Sequence, residues 1–123
     1  MITFPSPIQV SMTSYPATAT LEIAITPQGM VATVDVEVLA AGASIPTPVD
    51  FGNNFINGKI TFSNIPINKG DTLISTTRVT SIVSGSPQKV SVDHVVNTEP
   101  PQTLSSTLAT GTAEKYYAEF IFA

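Results

Sequence analysis

The strongest constraint in this sequence is the alternation of apolar and polar side chains along single segments of the chain. In MVATVDVEVL, residues 30–39, every second side chain is apolar, and Asp35 and Glu37 belong to the opposite set. Because successive side chains of a strand point to opposite faces of a sheet, this pattern predicts a half-buried β-strand. The same period recurs in TLEIAIT, residues 20–26, and helical periodicity is almost absent. The sequence therefore predicts an all-β protein.

Several such segments, separated by turn signals, follow one another along the chain of 123 residues. Short strands with turns between them are typical of two sheets packed face to face. We therefore expect a two-layer antiparallel β-sandwich of about 7–8 strands, either immunoglobulin-like or jelly-roll-like. A chain of this length usually forms one domain, so residues 7–123 are predicted to be a single sandwich and residues 1–6 an extended N-terminal arm.

Local signals predict how some strands are connected. Residues 40–48, AAGASIPTP, are interpreted as a linker of small residues. The dipeptide Asn57-Gly58 stands between two short apolar runs and predicts a β-hairpin, because both residues tolerate positive φ.

Two segments are open to more than one interpretation. Residues 72–84 do not alternate cleanly, so this strand is either covered on both faces or interrupted by a bulge. Residues 97–112 are rich in Ser and Thr and long for a loop. They form either a flexible surface excursion or a short strand around Leu104 to Leu108.

The stretch ITFSNIPINKGDTLI, residues 60–74, combines an alternating strand, an Ile-Pro pair, a polar crossing and a new strand. Ile65 is expected to plug the end of the core, Pro66 to stop strand pairing and Gly70 to permit a tight turn. The stretch resembles the corner in fibronectin-III and other immunoglobulin-like domains, where the chain crosses between sheets. This resemblance covers about 25 of the 123 residues and implies a fold, not an activity. The sequence departs from it at Leu73, where those domains often have a tyrosine, and it lacks the cysteines and tryptophan of antibody domains.

The reagents of most enzymatic mechanisms are missing. Cysteine is absent, and the one histidine, His94, shares a strand face with three valines, as expected of a structural side chain. The nine carboxylates are scattered singly, so no acid–base pair is indicated. Asp50 and Asp71 lie in predicted loops with Asn neighbours, which leaves calcium as an open alternative, although no recognisable ligand spacing is present. We predict that the protein is not an enzyme and has no cofactor or metal.

Charge and hydropathy argue against two classes of partner. Only 11% of the residues are charged, against about a quarter in typical proteins, and the five Lys and Arg residues do not cluster. Nucleic acid is therefore not an expected partner. No apolar run reaches about 18 residues, and the first residues have no secretion-signal pattern, so neither a membrane span nor an export signal is expected.

Two segments carry apolar side chains without an obvious structural need. The predicted loop DFGNNFING, residues 50–58, places aromatic rings beside amide groups, which suits a protein partner or a sugar ring. Its alternative role is a lid on the core. The arm is either a docking segment or a frayed terminus. We predict partner binding by Ile2, Phe4, Phe51, Asn53, Asn54 and Phe55.

Low charge, abundant Ser, Thr and Asn, and the absence of cysteine are typical of small virion proteins. The sequence therefore suggests a phage capsid decoration (cement) protein or tail accessory protein, located in the virion after assembly in the host cytoplasm. Its expected partners are copies of itself, in a homo-oligomer, or capsid and tail proteins. The alternative is a glycan-binding or adhesin module at an extracellular surface, with residues 50–58 as the binding rim. The uncharged C-terminal FIFA is either an edge strand that pairs across chains or an interior strand.

Overall fold

The computed structural model describes residues 1–27, 30–56, 58–82 and 85–123, with the side chains of all of these except Asn53 and Ile56. These ranges contain ten β-strands and no helix. In chain order the strands are β1 (Ile2–Thr3), β2 (Ile8–Val10), β3 (Ala17–Thr26), β4 (Met30–Leu39), β5 (Thr47–Ile56), β6 (Lys59–Ile67), β7 (Thr72–Ser81), β8 (Gln88–Val96), β9 (Gln102–Leu108) and β10 (Ala113–Phe122).

The strands form two sheets that pack as a sandwich. One sheet has the order β1-β10-β7-β4-β5, and β2 also pairs with β10. The other has the order β6-β3-β8-β9. Neighbouring strands are antiparallel, except that β1 and β2 run parallel to β10. The all-β class and the two-layer, mainly antiparallel sandwich are thereby confirmed.

The expected strand number, about 7–8, is too low, because the described ranges contain ten. Strand β5 occupies residues that were interpreted as a linker and a loop, and β9 lies inside residues 97–112. The short-strand interpretation of that segment is therefore the correct one. Two short strands, β1 and β2, lie in the N-terminal region, and β1 falls within the residues predicted to be an extended arm.

The two strands that flank Asn57-Gly58 do not pair with each other, although the predicted hairpin requires that pairing. Asn57 lies outside the described residues, but the flanking strands belong to different sheets: β5 pairs with β4, and β6 pairs with β3. The local signal is outweighed by these longer pairings, each of which extends over most of a strand. The chain therefore crosses between the two sheets at this point.

The core lies between the sheets and is filled by the inward-facing side chains of each strand. Strand β10 contributes its largest members, Tyr116, Phe120 and Phe122, which are almost completely buried. They pack in one cluster with inward aliphatic side chains of both sheets, including Leu21 and Val34. The alternation read in residues 30–39 is thus the division between core and outer surface.

The central strands of the larger sheet are β7 and β10. Strand β7 pairs with both neighbours without a register shift, and both Leu73 and Ile74, which face opposite sides, are buried. Neither interpretation of residues 72–84 is confirmed over the described strand, because no bulge interrupts it and Arg78, on the same face as Ile74, is exposed. The alternation is unclear because the core face carries the buried polar side chains Ser75, Thr77 and Ser81. The strand ends at Ser81, and residues 83 and 84 lie outside the described ranges. Strand β10 is also interior, so FIFA is not a free edge.

The predicted corner between β6 and β7 does cross from one sheet to the other. Ile65 is buried in the core, as expected. Pro66 does not stop the pairing of β6, because Thr18 pairs with Pro66 and Ala17 pairs with Ile67. Gly70 adopts φ = 87°, a conformation that favours glycine. Its N–H donates to the Phe122 carbonyl oxygen at 2.7 Å, so the corner is tied to the end of β10.

Candidate partner-binding site

Strand β5 is an edge strand whose pairing with β4 is interrupted twice. The register shifts between the Val34 and Val36 pairs, and again between the Val36 and Glu37 pairs. At the first shift Gly52 adopts φ = 75°, and its N–H donates to Asp35 Oδ1 at 2.7 Å. Because a bulge disrupts the regular alternation of side chains, sequence parity does not show which side chains of β5 face solvent.

Three apolar side chains at this edge point into solvent. Val49 and Phe51 of β5 are 39% and 54% exposed, and Ile45, just before the strand, is 79% exposed. Val49 also lines a groove of about 420 Å³ with Val38, Ala40, Thr47, Pro48 and Pro66. We call Ile45, Val49, Phe51 and this groove the β5 apolar patch. It lies where an edge of each sheet approaches the other.

The four predicted binding residues of this segment differ in position. Phe51 is exposed, whereas Phe55 is half-buried and packs against the core. Asn54 is exposed, and its Nδ2 donates to the Gly52 carbonyl oxygen at 3.0 Å. The backbone of Asn53 pairs with Val34, and its side chain lies outside the described part of the structure. The lid interpretation therefore fits Phe55 alone, and residues 50–56 are a strand, not a loop.

The two predicted binding residues of the arm lie elsewhere. Ile2 pairs with Tyr116 in β1, and Ile2 and Phe4 are half-buried against the core. Three strands separate β1 from β5 in the same sheet, a distance of about 19 Å at the usual strand spacing. The six predicted residues therefore do not form one site. The arm residues contact this chain's own core, and their role with a partner stays a prediction.

His94 is completely buried beneath the N-terminal arm, between the two sheets. Its ring lies edge-on to Phe4, with ring centres 5.9 Å apart, and 6.1 Å from the ring of Phe120. Nδ1 lies 3.2 Å from the carbonyl oxygen of Gln102, which can only accept, so Nδ1 carries the proton. Nε2 has no hydrogen-bond partner among the described residues. Burial lowers the pKa of His94 below 6.5, against smaller opposing effects of Gln102 and the Asp93 charge.

The stability of the protein is expected to fall as the pH drops below 6.5, because the unfolded chain binds a proton there while the buried ring stays neutral. The free energy of unfolding falls by at most about 1.4 kcal/mol per pH unit, and it stops falling below the lowered pKa of His94. Thermal unfolding between about pH 5.5 and 7.5 measures it. A His94→Gln protein should show a flatter profile, and equal slopes in the two proteins would contradict this assignment.

Two tyrosines of β10 are also shifted, in the direction that keeps them neutral. Burial raises the pKa of Tyr117 to about 12, helped by a hydrogen bond to Glu119 and by the charges of Glu119 and Glu37. Burial likewise raises the pKa of Tyr116, whose hydroxyl is hydrogen-bonded to that of Ser106. Neither side chain offers a phenolate near neutral pH.

Asp71, considered above as a calcium ligand, is a buried structural anchor. Its Oδ1 accepts the Ala41 N–H at 3.2 Å, and its Oδ2 accepts the Asn68 N–H at 2.8 Å. Both carboxylate oxygens are thus used within the chain, whereas Asp50 is exposed on β5. The described residues contain no group of three or more side chains suited to a metal ion. Over the same ranges, no helix is long and apolar enough to cross a membrane.

Sequence reasoning missed two residues of the patch, Ile45 and Val49. Both adjoin a proline, Pro46 or Pro48, in the segment that was interpreted as a linker. An apolar side chain next to a proline is a usable signal, because proline is tolerated mainly at an edge or outside a sheet. Comparisons with protein-family models, with curated proteins and with solved structures find no match to this chain.

Proposed function

We propose that this chain is a non-enzymatic structural protein of a virion, a capsid decoration or tail accessory protein that acts through repeated protein–protein contacts. The observation that carries the proposal is the β5 apolar patch, in which the exposed Val49 lines an apolar groove and Ile45 and Phe51 are exposed nearby in the chain. The neutral surface supports it. Burying an unpaired charge is costly. Because only 11% of the residues are charged, a neighbour can pack against this chain without burying many charges.

We also infer an immunoglobulin-like form of the sandwich. In immunoglobulin domains, strands B and E share one sheet, and strands C, F and G share the other. Here β3 and β6 are neighbours in one sheet, and β4, β7 and β10 are consecutive in the other. The β6–β7 corner makes the corresponding crossing. On this assignment the β8–β9 hairpin is an addition beside β3.

The β5 apolar patch suits an apolar protein surface. Burying apolar area contributes roughly 25 cal/mol per Å², and aromatic side chains such as Phe51 are enriched at the centres of interfaces. The residues that line the groove are apolar except for Thr47, and none of them is charged. The occupant we propose is an apolar side chain of a capsid or tail protein, with Phe51 packed beside it.

The chain is expected to occur at a fixed ratio to the coat or tail protein in particles purified by density gradient. Mass spectrometry of intact particles measures this ratio. Repeated contacts in a symmetric particle require a constant stoichiometry, whereas a contaminant varies between preparations. Absence of the chain from every particle fraction would sink the virion proposal.

A protein with Val49→Ser and Phe51→Ser is expected to bind particles that lack the chain about tenfold more weakly, because both changes remove apolar area from the interface. Co-sedimentation of the added protein with such particles measures the binding. The matched control is Ile82→Ser, since Ile82 is 55% exposed but directly follows β7 and is not part of the patch. Equal losses in the two proteins would show that the patch has no special role.

A glycan-binding or adhesin module is the second candidate function, favoured by two exposed side chains of β5, the Phe51 ring and the Asn54 amide. An aromatic face and an amide are the groups that hold a sugar ring and its hydroxyls. Glycan-array binding that Phe51→Ala abolishes would support this candidate. The Phe55→Ala protein is less informative, because Phe55 packs against the core.

A further inference from the structure

The described residues leave four sheet edges, and three of them are obstructed. Strand β5 has two bulges and Pro48. Strand β6 has a register shift beside Asn64, where φ is 58°, and then Pro66. The edge next to β10 consists of two short pieces, β1 and β2, with Pro5 and Pro7 between them. Bulges, prolines and short strands are the devices by which proteins prevent pairing between edges.

The fourth edge, β9, lacks these devices. Its seven residues, QTLSSTL, include no proline, glycine or charge. It pairs with β8 from Gln102 to Leu108 without a register shift. Strand β1 of the other sheet lies close to β9, but the backbone of β1 pairs with β10. One side of β9 therefore presents a regular row of backbone donors and acceptors that no other described strand covers.

We propose that β9 pairs antiparallel with β9 of a second copy of this chain, joining two four-stranded sheets into one of eight strands. The proposed function includes contacts between copies of this chain, and this inference rests on that function. It assigns those contacts to one surface, the free edge of β9. A second copy is the favoured occupant because the strand is complementary to itself. An antiparallel pair about a two-fold axis requires the same residues on both sides.

The register that overlaps the full strand centres on Ser105 and places Thr103 opposite Thr107 of the second copy. All three side chains are exposed, while Leu104 and Leu108 face the core, so this register keeps each side chain on its proper face. No like charges meet, because the strand is neutral. In β8, Asp93 pairs with Thr103 and Lys89 pairs with Thr107. This register therefore places Asp93 of one copy and Lys89 of the second copy in the same row across the joined sheet, roughly 14 Å apart.

A Ser105→Lys protein tests the proposal, because the change places two like charges opposite each other at the two-fold axis. Sedimentation velocity over a concentration series is expected to show a dimer for the unchanged chain and at least about tenfold weaker association for Ser105→Lys and for Ser105→Asp. An equal mixture of the two variants should regain the dimer. An unchanged chain that is monomeric throughout overturns the proposal. So does a dimer that both variants retain, or a mixture that stays monomeric.

Thr61→Lys is the matched control, because Thr61 is exposed on the obstructed edge strand β6 of the same sheet. It should leave self-association unchanged, and circular dichroism should show that all variants are folded. The particle-binding assay on the Ser105→Lys protein separates this proposal from the proposed function. If the monomeric Ser105→Lys protein still binds particles, the patch binds its partner without β9 pairing. If the protein with Val49→Ser and Phe51→Ser still binds particles, the patch proposal is contradicted and the β9 proposal is not affected.

Discussion

Replacing Phe120 with alanine is expected to lower the free energy of unfolding by about 3–5 kcal/mol, the largest effect of a single change that we foresee. Phe120 is 1% exposed and lies on β10 between the two sheets. Its ring is 6.1 Å from that of His94. Removing the ring therefore costs its transfer free energy and leaves a cavity where neither sheet can readily close. Urea denaturation of both proteins measures the difference.

The matched control is Phe51→Ala, the same chemical change at an exposed position. Surface substitutions usually change stability by less than about 0.5 kcal/mol, so this protein should unfold with the unchanged chain. Domains are stable by only about 5–15 kcal/mol, and the Phe120 variant should therefore lose a large share of the total. Equal midpoints for the Phe51 and Phe120 variants would contradict the assignment of Phe120 to the core.

The fold was predictable where local pattern and pairing agree. Strand β4 is regular and has a neighbour on each side, so its alternation in the sequence is the alternation between core and outer surface. The β6–β7 corner was predictable where a step depends on one residue type, an apolar plug at Ile65 and a glycine at position 70, but Pro66 does not end the pairing of β6. These features are written in a few adjacent residues.

Strands β5 and β9 were not predictable by the same means. The alternation of β5 is interrupted by two bulges, and the strand also contains Pro48 and Gly52. Its place in the sheet depends on pairing with β4. In β9 only Leu104 and Leu108 are apolar, four residues apart, and β8 supplies the pairing that makes the segment a strand. In both cases the partner is the preceding strand, but the hydrogen bonds that it supplies leave no mark on the side-chain pattern of the segment itself.

The candidate site shows the same limit. Phe51 and Phe55 lie four residues apart in one segment, so a regular strand would place them on the same face. The bulge at Gly52 lies between them, and one ring is exposed while the other packs against the core. Sequence reasoning identified the segment but not which ring is available to a partner. The arm residues Ile2 and Phe4 became half-buried because β10 offered them an edge.

Asp71→Ala is expected to lower the free energy of unfolding by about 2–4 kcal/mol. The buried carboxylate accepts the N–H groups of Ala41 and Asn68, at 3.2 and 2.8 Å, and so holds the β6–β7 corner against the loop after β4. Its own backbone carbonyl accepts the N–H of Phe122 at 2.9 Å, which joins this corner to β10. Removing the carboxylate leaves two partly buried donors without their partner. Urea denaturation measures the loss.

Asp50→Ala is the control for lost charge, because Asp50 is exposed and this change should cost less than about 0.5 kcal/mol. Asp71→Asn should lie between the two, since an amide keeps one acceptor oxygen and presents a donor in place of the other. Calcium provides the remaining discrimination. A ligand that binds the folded state raises its stability by mass action, so millimolar calcium should leave the unchanged chain as it is. Stabilisation by calcium that disappears in Asp71→Ala would make Asp71 a ligand instead of an anchor.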